Sequence, residues 1–168
     1  MENNSLTVTP SGHIQMLLPL LLMIGIGVAI GIYAEDFDAA FFTSLTILIP
    51  FGIPVAYIHY SYYTVDRDRK VTVTPAGISL GYNNGTETFY PVTDIQTISI
   101  FSNNVIMSIP WCSYSYAEIK LSNGDSLLIT SLLCSNLVEL CKDNFPDELI
   151  TVRGGVFDVF IPREQLPF

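Results

Sequence analysis

Two histidines, His13 and His59, and three cysteines, Cys112, Cys134 and Cys141, are the residues of this chain best suited to soft-metal binding or nucleophilic chemistry. Their spacing argues against either role. No histidine follows His59, so the second half of the chain cannot assemble a Ser-His-Asp set. Cys134 and Cys141 are two helical turns apart, about 10 Å along a helix, which is too far for a disulfide. No His or second Cys stands at a metal-ligand spacing, so neither a metal nor another cofactor is expected, and the thiols read as small buried hydrophobes. A phosphate-cradling Gly-rich loop, H-E-x-x-H and C-x-x-C are all absent from the sequence. The expectation is a non-catalytic protein.

The charged residues exclude further classes. The chain carries a net charge of −9, and from Val71 onward its cations are Lys120, Lys142, Arg153 and Arg163 against ten acids, a net −6. Such a surface repels phosphates, so nucleic acid is excluded as a partner and anionic headgroups gain no long-range attraction. Asp66-Arg67-Asp68-Arg69-Lys70 has the density of an ion site but reads as a solvated linker. Asn3-Asn4-Ser5 and Asn84-Gly85-Thr86 match glycosylation acceptors, incidental in a cytoplasmic setting. The aromatic stretch Ile109 to Tyr116 is the best candidate for protein contact, through Trp111, Tyr114 and Tyr116. The competing reading places Trp111 and one tyrosine in the core or on a membrane surface.

Two long apolar runs must position whatever the chain does. Ile14–Ala34 and Ala39–Tyr60 contain no charge and are separated by Glu35-Asp36-Phe37-Asp38. At about 1.5 Å per residue, each is long enough for the roughly 30 Å hydrocarbon layer, which predicts a transmembrane hairpin over 14–63 behind an N-terminal tail of 1–13. A cleaved signal peptide fits poorly, since residues 1–13 hold no Lys or Arg. Arg67, Arg69 and Lys70 after the second run place the linker outside, and the N-terminus and large domain in the cytoplasm. Gly27 and Gly31 form a small-residue strip that lets another helix approach, within the hairpin or in a homo-oligomer. Pro50 and Pro54 should interrupt the second helix, while Thr43, Ser44 and Thr46 return hydrogen bonds to it.

After the linker at 64–70, continuous apolarity gives way to alternation. Strands are expected at Val71–Val73, Ile78–Tyr82, Glu87–Val92, Gln96–Phe101, Val105–Pro110, Ala117–Leu121 and around Leu127–Ile129. Asn123-Gly124 is a hairpin turn. Leu133, Leu137, Leu140 and Cys141 then mark one stripe of a helix stopped by Asn144-Phe145-Pro146. Two more strands, Leu149–Arg153 and Val156–Ile161, would form a β extension over 146–168. This alternation also predicts that residues 66–168 close a core without the hairpin.

On Val71-Thr72-Val73-Thr74-Pro75-Ala76-Gly77-Ile78, Thr93 to Ile98, Ile119 to Gly124 and Ile129 to Leu133, the stretch Val71–Asn144 resembles bacterial pleckstrin-homology-like domains carried behind paired transmembrane helices. The resemblance implies an α+β fold: a helical hairpin, then over 71–145 two orthogonal antiparallel sheets of about seven strands with a capping helix. It also implies binding or scaffolding without catalysis. Thr74-Pro75-Ala76-Gly77 lacks the basic residues with which lipid-binding members surround the first hairpin. The reading is therefore a multi-pass protein of the cytoplasmic membrane, held in the bilayer by two helices, whose domain regulates or contacts a protein partner. A lipid-headgroup sensor is the alternative, and a membrane enzyme or transporter accessory subunit the further one.

Overall fold

The computed structural model describes residues 5–33, 37–102, 109–155, 158–162 and 165, side chains at 37, 39, 40 and 47 excepted. A short strand β1 (Ser5–Leu6) precedes helix α1 (Pro10–Tyr33). Thr9 starts that helix: its Oγ1 accepts the Gly12 N–H at 3.2 Å, and Pro10 fits the first turn, where no intrahelical donor is needed. Helix α2 (Phe37–Ile47) returns along α1, and Gly27 and Gly31 are buried inside this hairpin. A Cβ on Gly25, by contrast, would meet open space. Phe37 and Asp38, expected as linker, form the first turn of α2; Glu35 and Asp36 lie outside the described residues.

The expected interruption at the prolines takes the form of a π-helical turn, Leu48–Gly52, before α3 (Ile53–Asp66). Pro50 has no N–H to donate and its ring crowds the carbonyl four residues back, which the wider turn relieves. Thr46 donates to the Phe42 carbonyl at 2.8 Å, as a helix-internal hydroxyl should. Pro10–Tyr33 and Phe41–Asp66 are long and apolar enough to cross a membrane, with mean hydropathies of 2.4 and 1.8.

Six strands follow: β2 (Arg69–Thr74), β3 (Gly77–Tyr82), β4 (Glu87–Pro91), β5 (Ile95–Ser102), β6 (Ser115–Leu121) and β7 (Ser126–Thr130). Helix α4 (Leu137–Asn144) and strand β8 (Ile150–Gly154) complete the chain's described elements. One sheet is antiparallel in the order β1-β2-β3-β4; the other runs β7-β6-β5-β8, with β8 parallel to β5. Glycines hold two turns open. Gly124 takes φ 91° after Asn123, and at Gly77 (φ 148°) a Cβ would stand 2.1 Å from the Tyr90 carbonyl oxygen.

The strand expected at Val105–Pro110 lies outside the described residues apart from Ile109 and Pro110, which are in a bend and turn. β1 was not expected at all. The first extension strand joins the edge of a sheet, but Asp158–Ile161 is turn and irregular chain rather than strand. Helix α4 starts at Leu137, one turn later than the apolar stripe suggested, because Asn136 caps it by accepting the Glu139 N–H.

Between the sheets lies a first core of Val71, Val73, Ile78, Leu80, Ile98, Ile100, Ala117, Ile119 and Ile129, closed by Leu137 and Cys141 of α4. Burial pushes the Cys141 thiol up to about 12, with Cys134 nearby adding to it, so it stays protonated. A second core lies on the opposite face of the β7-β6-β5-β8 sheet. There Met16 and Leu20 of α1 and Val55, Ile58, Tyr62 and Val65 of α3 meet Tyr116, Leu128 and Leu132. That sheet is therefore covered on both faces. This explains why Leu127, Leu128, Ile129 and Thr130 are buried in succession instead of alternating. One side of the central sheet of the 66–168 stretch is thus completed by the hairpin.

Candidate functional site

The junction between hairpin and sheet gathers most of the chain's chemistry-bearing groups. Its first component is a hydrogen-bonded chain drawn from three segments. His13, in the first turns of α1, places Nδ1 2.8 Å from Nε2 of His59 on α3. The other ring nitrogen of His59, Nδ1, lies 2.9 Å from the Tyr114 hydroxyl. Tyr114 is fully buried, and among the described residues its hydroxyl has no other acceptor. We therefore assign it as donor to His59 Nδ1, which places the His59 proton on Nε2, donating in turn to His13. Burial also pushes the Tyr114 phenol up, keeping it protonated.

The second component is a buried ion pair. Asp66 ends α3 six residues beyond the apolar run that closes at Tyr60, and it is wholly inaccessible. Its carboxylate accepts from Arg69 Nη2 at 2.7 Å and from Thr130 Oγ1 at 2.5 Å; Arg69 Nη2 also donates to the Leu128 carbonyl at 2.9 Å. Desolvation raises the Asp66 carboxyl from 3.8 to about 6, with Arg69 and Thr130 pulling it the other way. These residues were expected in a solvated linker. The helix instead runs straight into the sheet domain, and β2 begins three residues later at Arg69. Arg67 and Asp68 do remain exposed, paired to each other at 3.0 Å.

Aromatic rings fill the third component. Trp111, Tyr114 and Tyr116, the candidates for partner contact, are buried at 6%, 0% and 3% exposure, as the competing core reading had it for Trp111 and one tyrosine. Tyr62 meets Tyr114 and Tyr116 edge-on, and its hydroxyl donates to the Val159 carbonyl at 2.8 Å, tying the C-terminal segment to α3. Phe160 stacks on Tyr57 and stands edge-on to Trp111. The aromatic surface thus holds the helices on the sheet. A weak signal was available: the one tryptophan sits in a stretch whose apolar side chains have no regular period, as expected where a loop fills a space between layers.

Beside the ion pair a cavity of about 560 Å³ opens between α3, β2, β3 and β7, lined among others by Tyr60, Arg67, Asp68 and Gln165. Among the described residues no group of three or more His, Cys, Asp or Glu is placed to hold a metal ion.

Residues 6–138, from β1 into the first turn of α4, match the family described as the PH domain. The chain belongs to that family. The match includes both helices of the hairpin, so within this PH domain protein the helices form part of the matched unit. Neither a curated protein nor a solved structure matches the chain. Membership supports a protein- or lipid-interaction module built on two sheets.

Proposed function

We propose that this PH domain protein is an integral membrane protein, anchored by its two helices, whose cytoplasmic sheet domain acts as a protein-interaction or regulatory module without catalysis. The observation that carries the reading is the second core. A domain joined by a flexible linker samples all orientations, whereas one sharing Met16, Ile58, Tyr62 and Trp111 with the hairpin is held in one pose. Such a pose presents the outer face of the β1-β2-β3-β4 sheet and the polar side of α4 to the cytoplasm. A net charge of −6 from Val71 onward makes a protein partner with basic contacts the better match than an anionic bilayer.

Crosslinking in native membranes followed by mass spectrometry tests this. The expected result is a set of links from Lys70, Lys120 or Lys142 to one other protein. Links confined to the chain itself, with the isolated protein binding anionic vesicles in a salt-sensitive way, would replace the reading with a lipid-surface sensor.

A further inference from the structure

The His13–His59–Tyr114 chain joins α1, α3 and the loop before β6 through groups able to take up protons, with contacts of 2.8 and 2.9 Å. With the Tyr114 hydroxyl as donor, both acceptor nitrogens are occupied: His59 Nδ1 by the phenol, His13 Nδ1 by the His59 N–H. Both rings are half-buried, so neither is sealed from the surface. A first added proton reverses the chain. Whether it rests on His59 or on His13, a His59 Nδ1–H then faces Tyr114, which must turn from donor to acceptor. Among the described residues the Tyr114 hydrogen is then left without an acceptor, at a fully buried position. A second proton sets two cations N–H to N–H across 2.8 Å, and that contact must open.

Among the described residues no counter-charge stands within ion-pair distance of either ring. Apart from His13, α1 has no charged side chain. The one acid of α3, Asp66, lies about 10 Å along the helix from His59 and is paired to Arg69. The nearer titratable groups are Tyr63 against the His13 ring, Tyr62 edge-on to Tyr114, and Cys112 in the turn that Tyr114 closes onto the Trp111 carbonyl. Glu118, Arg153 and Asp158 lie near Tyr116. Cys134 lies near Cys141, just after the Leu132 carbonyl that meets α1 at Gly12. We propose that the chain is a proton-controlled latch: neutral, it holds the hairpin on the sheet domain, and proton uptake by the two histidines releases α1 and the Trp111–Tyr114 turn from α3. The unfolded chain binds the same protons without giving up a hydrogen bond, so the stability that the latch contributes is lost as pH falls. The sign is opposite to that of the Asp66 carboxyl, which takes its proton in the folded state. The latch acts at the junction itself and needs neither the membrane anchor nor the protein partner.

Two measurements on the full chain in detergent micelles, carrying no histidine tag, test this. The chain has only two histidines, so labelling their rings with nitrogen-15 gives four signals, one for each ring nitrogen. At neutral pH the His59 signals should show a protonated Nε2 and an unprotonated Nδ1. Acidification from pH 8 to pH 5 should load the pair in two steps at least about one pH unit apart, as directly coupled sites do. The second measurement follows the emission of Trp111 in urea, in an Asp66→Asn background that removes the opposing group. Its unfolding constant should rise about tenfold between pH 7.5 and pH 5.5, as the loss of one buried hydrogen bond implies. Adding His13→Asn and His59→Asn, whose amide oxygens keep an acceptor near each Nδ1 position, should flatten that response. Two rings that titrate independently in a single step would overturn the latch, and so would a tenfold response that survives both substitutions. A doubly substituted protein too unstable to measure leaves the decision to the ring-nitrogen titration of the unsubstituted chain.

Discussion

Removing the Asp66 carboxylate should cost more than any other single-side-chain change at the junction. In Asp66→Ala the Arg69 guanidinium, whose side chain is 12% exposed, keeps only the Leu128 carbonyl, and the Thr130 hydroxyl loses its acceptor. Stranding one member of a buried pair costs roughly 3–5 kcal/mol, a large share of the 5–15 kcal/mol that holds a typical domain together. Removing both charges together, as Asp66→Leu with Arg69→Met, strands neither and should cost less than Asp66→Ala alone. Trp111 is the chain's one tryptophan and is buried in the second core, so its emission in a urea titration reports directly on the junction. The pH dependence is a second readout. A folded value of about 6 against 3.8 means that Asp66 binds its proton more tightly in the native state. Its contribution is complete below 3.8 and is lost as pH rises through about 6. The protein should therefore gain stability from this group between pH 7 and pH 4, and Asp66→Asn should remove that slope. A loss under about 1 kcal/mol in Asp66→Ala, or a double variant as unstable as the single, would refute the reasoning.

His59→Leu deprives the buried Tyr114 hydroxyl of its acceptor and should lower stability by about 1–3 kcal/mol in the same titration, whereas His13→Leu spares that bond and should cost less. Gly27→Leu with Gly31→Leu should overpack the hairpin by about 1–3 kcal/mol and leave the oligomeric state by light scattering unchanged; a lost oligomer would assign the strip to self-association. In a background lacking Cys112, Cys134 and Cys141, a cysteine at Phe37 should label from outside the cell and one at Asn84 only after permeabilisation. A 66–168 fragment should aggregate without detergent, because Tyr116, Leu128 and Leu132 lose their cover; a soluble monomer would contradict the shared core.

Local pattern carried most of the sheet architecture. Alternation located β2 to β7 within a few residues, and Asn123-Gly124 marked its turn, because half-buried strands and tight turns write their geometry into adjacent residues. The two-residue β1 has no period to read, and it exists by pairing with β2 far along the chain. The junction was illegible for the same reason. His13 and His59, or Asp66 and Thr130, meet only because α3 docks on the outer face of a sheet, and their spacing in the chain carries no trace of it. The one local trace is the unbroken burial of Leu127 to Thr130, which a strand shows when both its faces are covered.

That covered face bears on where a bilayer would end. Along α1, Ile14 and Leu18 are exposed while Met16 and Leu20, on the other side of the same turns, are inside the second core. Along α3, Ile53, Tyr57 and Tyr60 are exposed while Val55, Ile58 and Tyr62 are buried. At one level of the hairpin, then, one side presents apolar surface suited to lipid and the other carries the sheet domain. Leu21 to Tyr33 alone would span about 20 Å, short of the roughly 30 Å hydrocarbon layer. Under the membrane reading, the turns that make up the difference are those already gripped by the domain, so its shoulder must lie within the interfacial layer. Tyr57 is exposed at that shoulder, stacked on Phe160, and tyrosine is a residue type suited to a boundary with one wet and one apolar side. A domain seated this way cannot turn independently of its helices. A tilt of the hairpin would move the His13–His59–Tyr114 chain and the Asp66–Arg69 pair together, and through Tyr116, Leu128 and Thr130 would reach the sheet whose far side forms the first core.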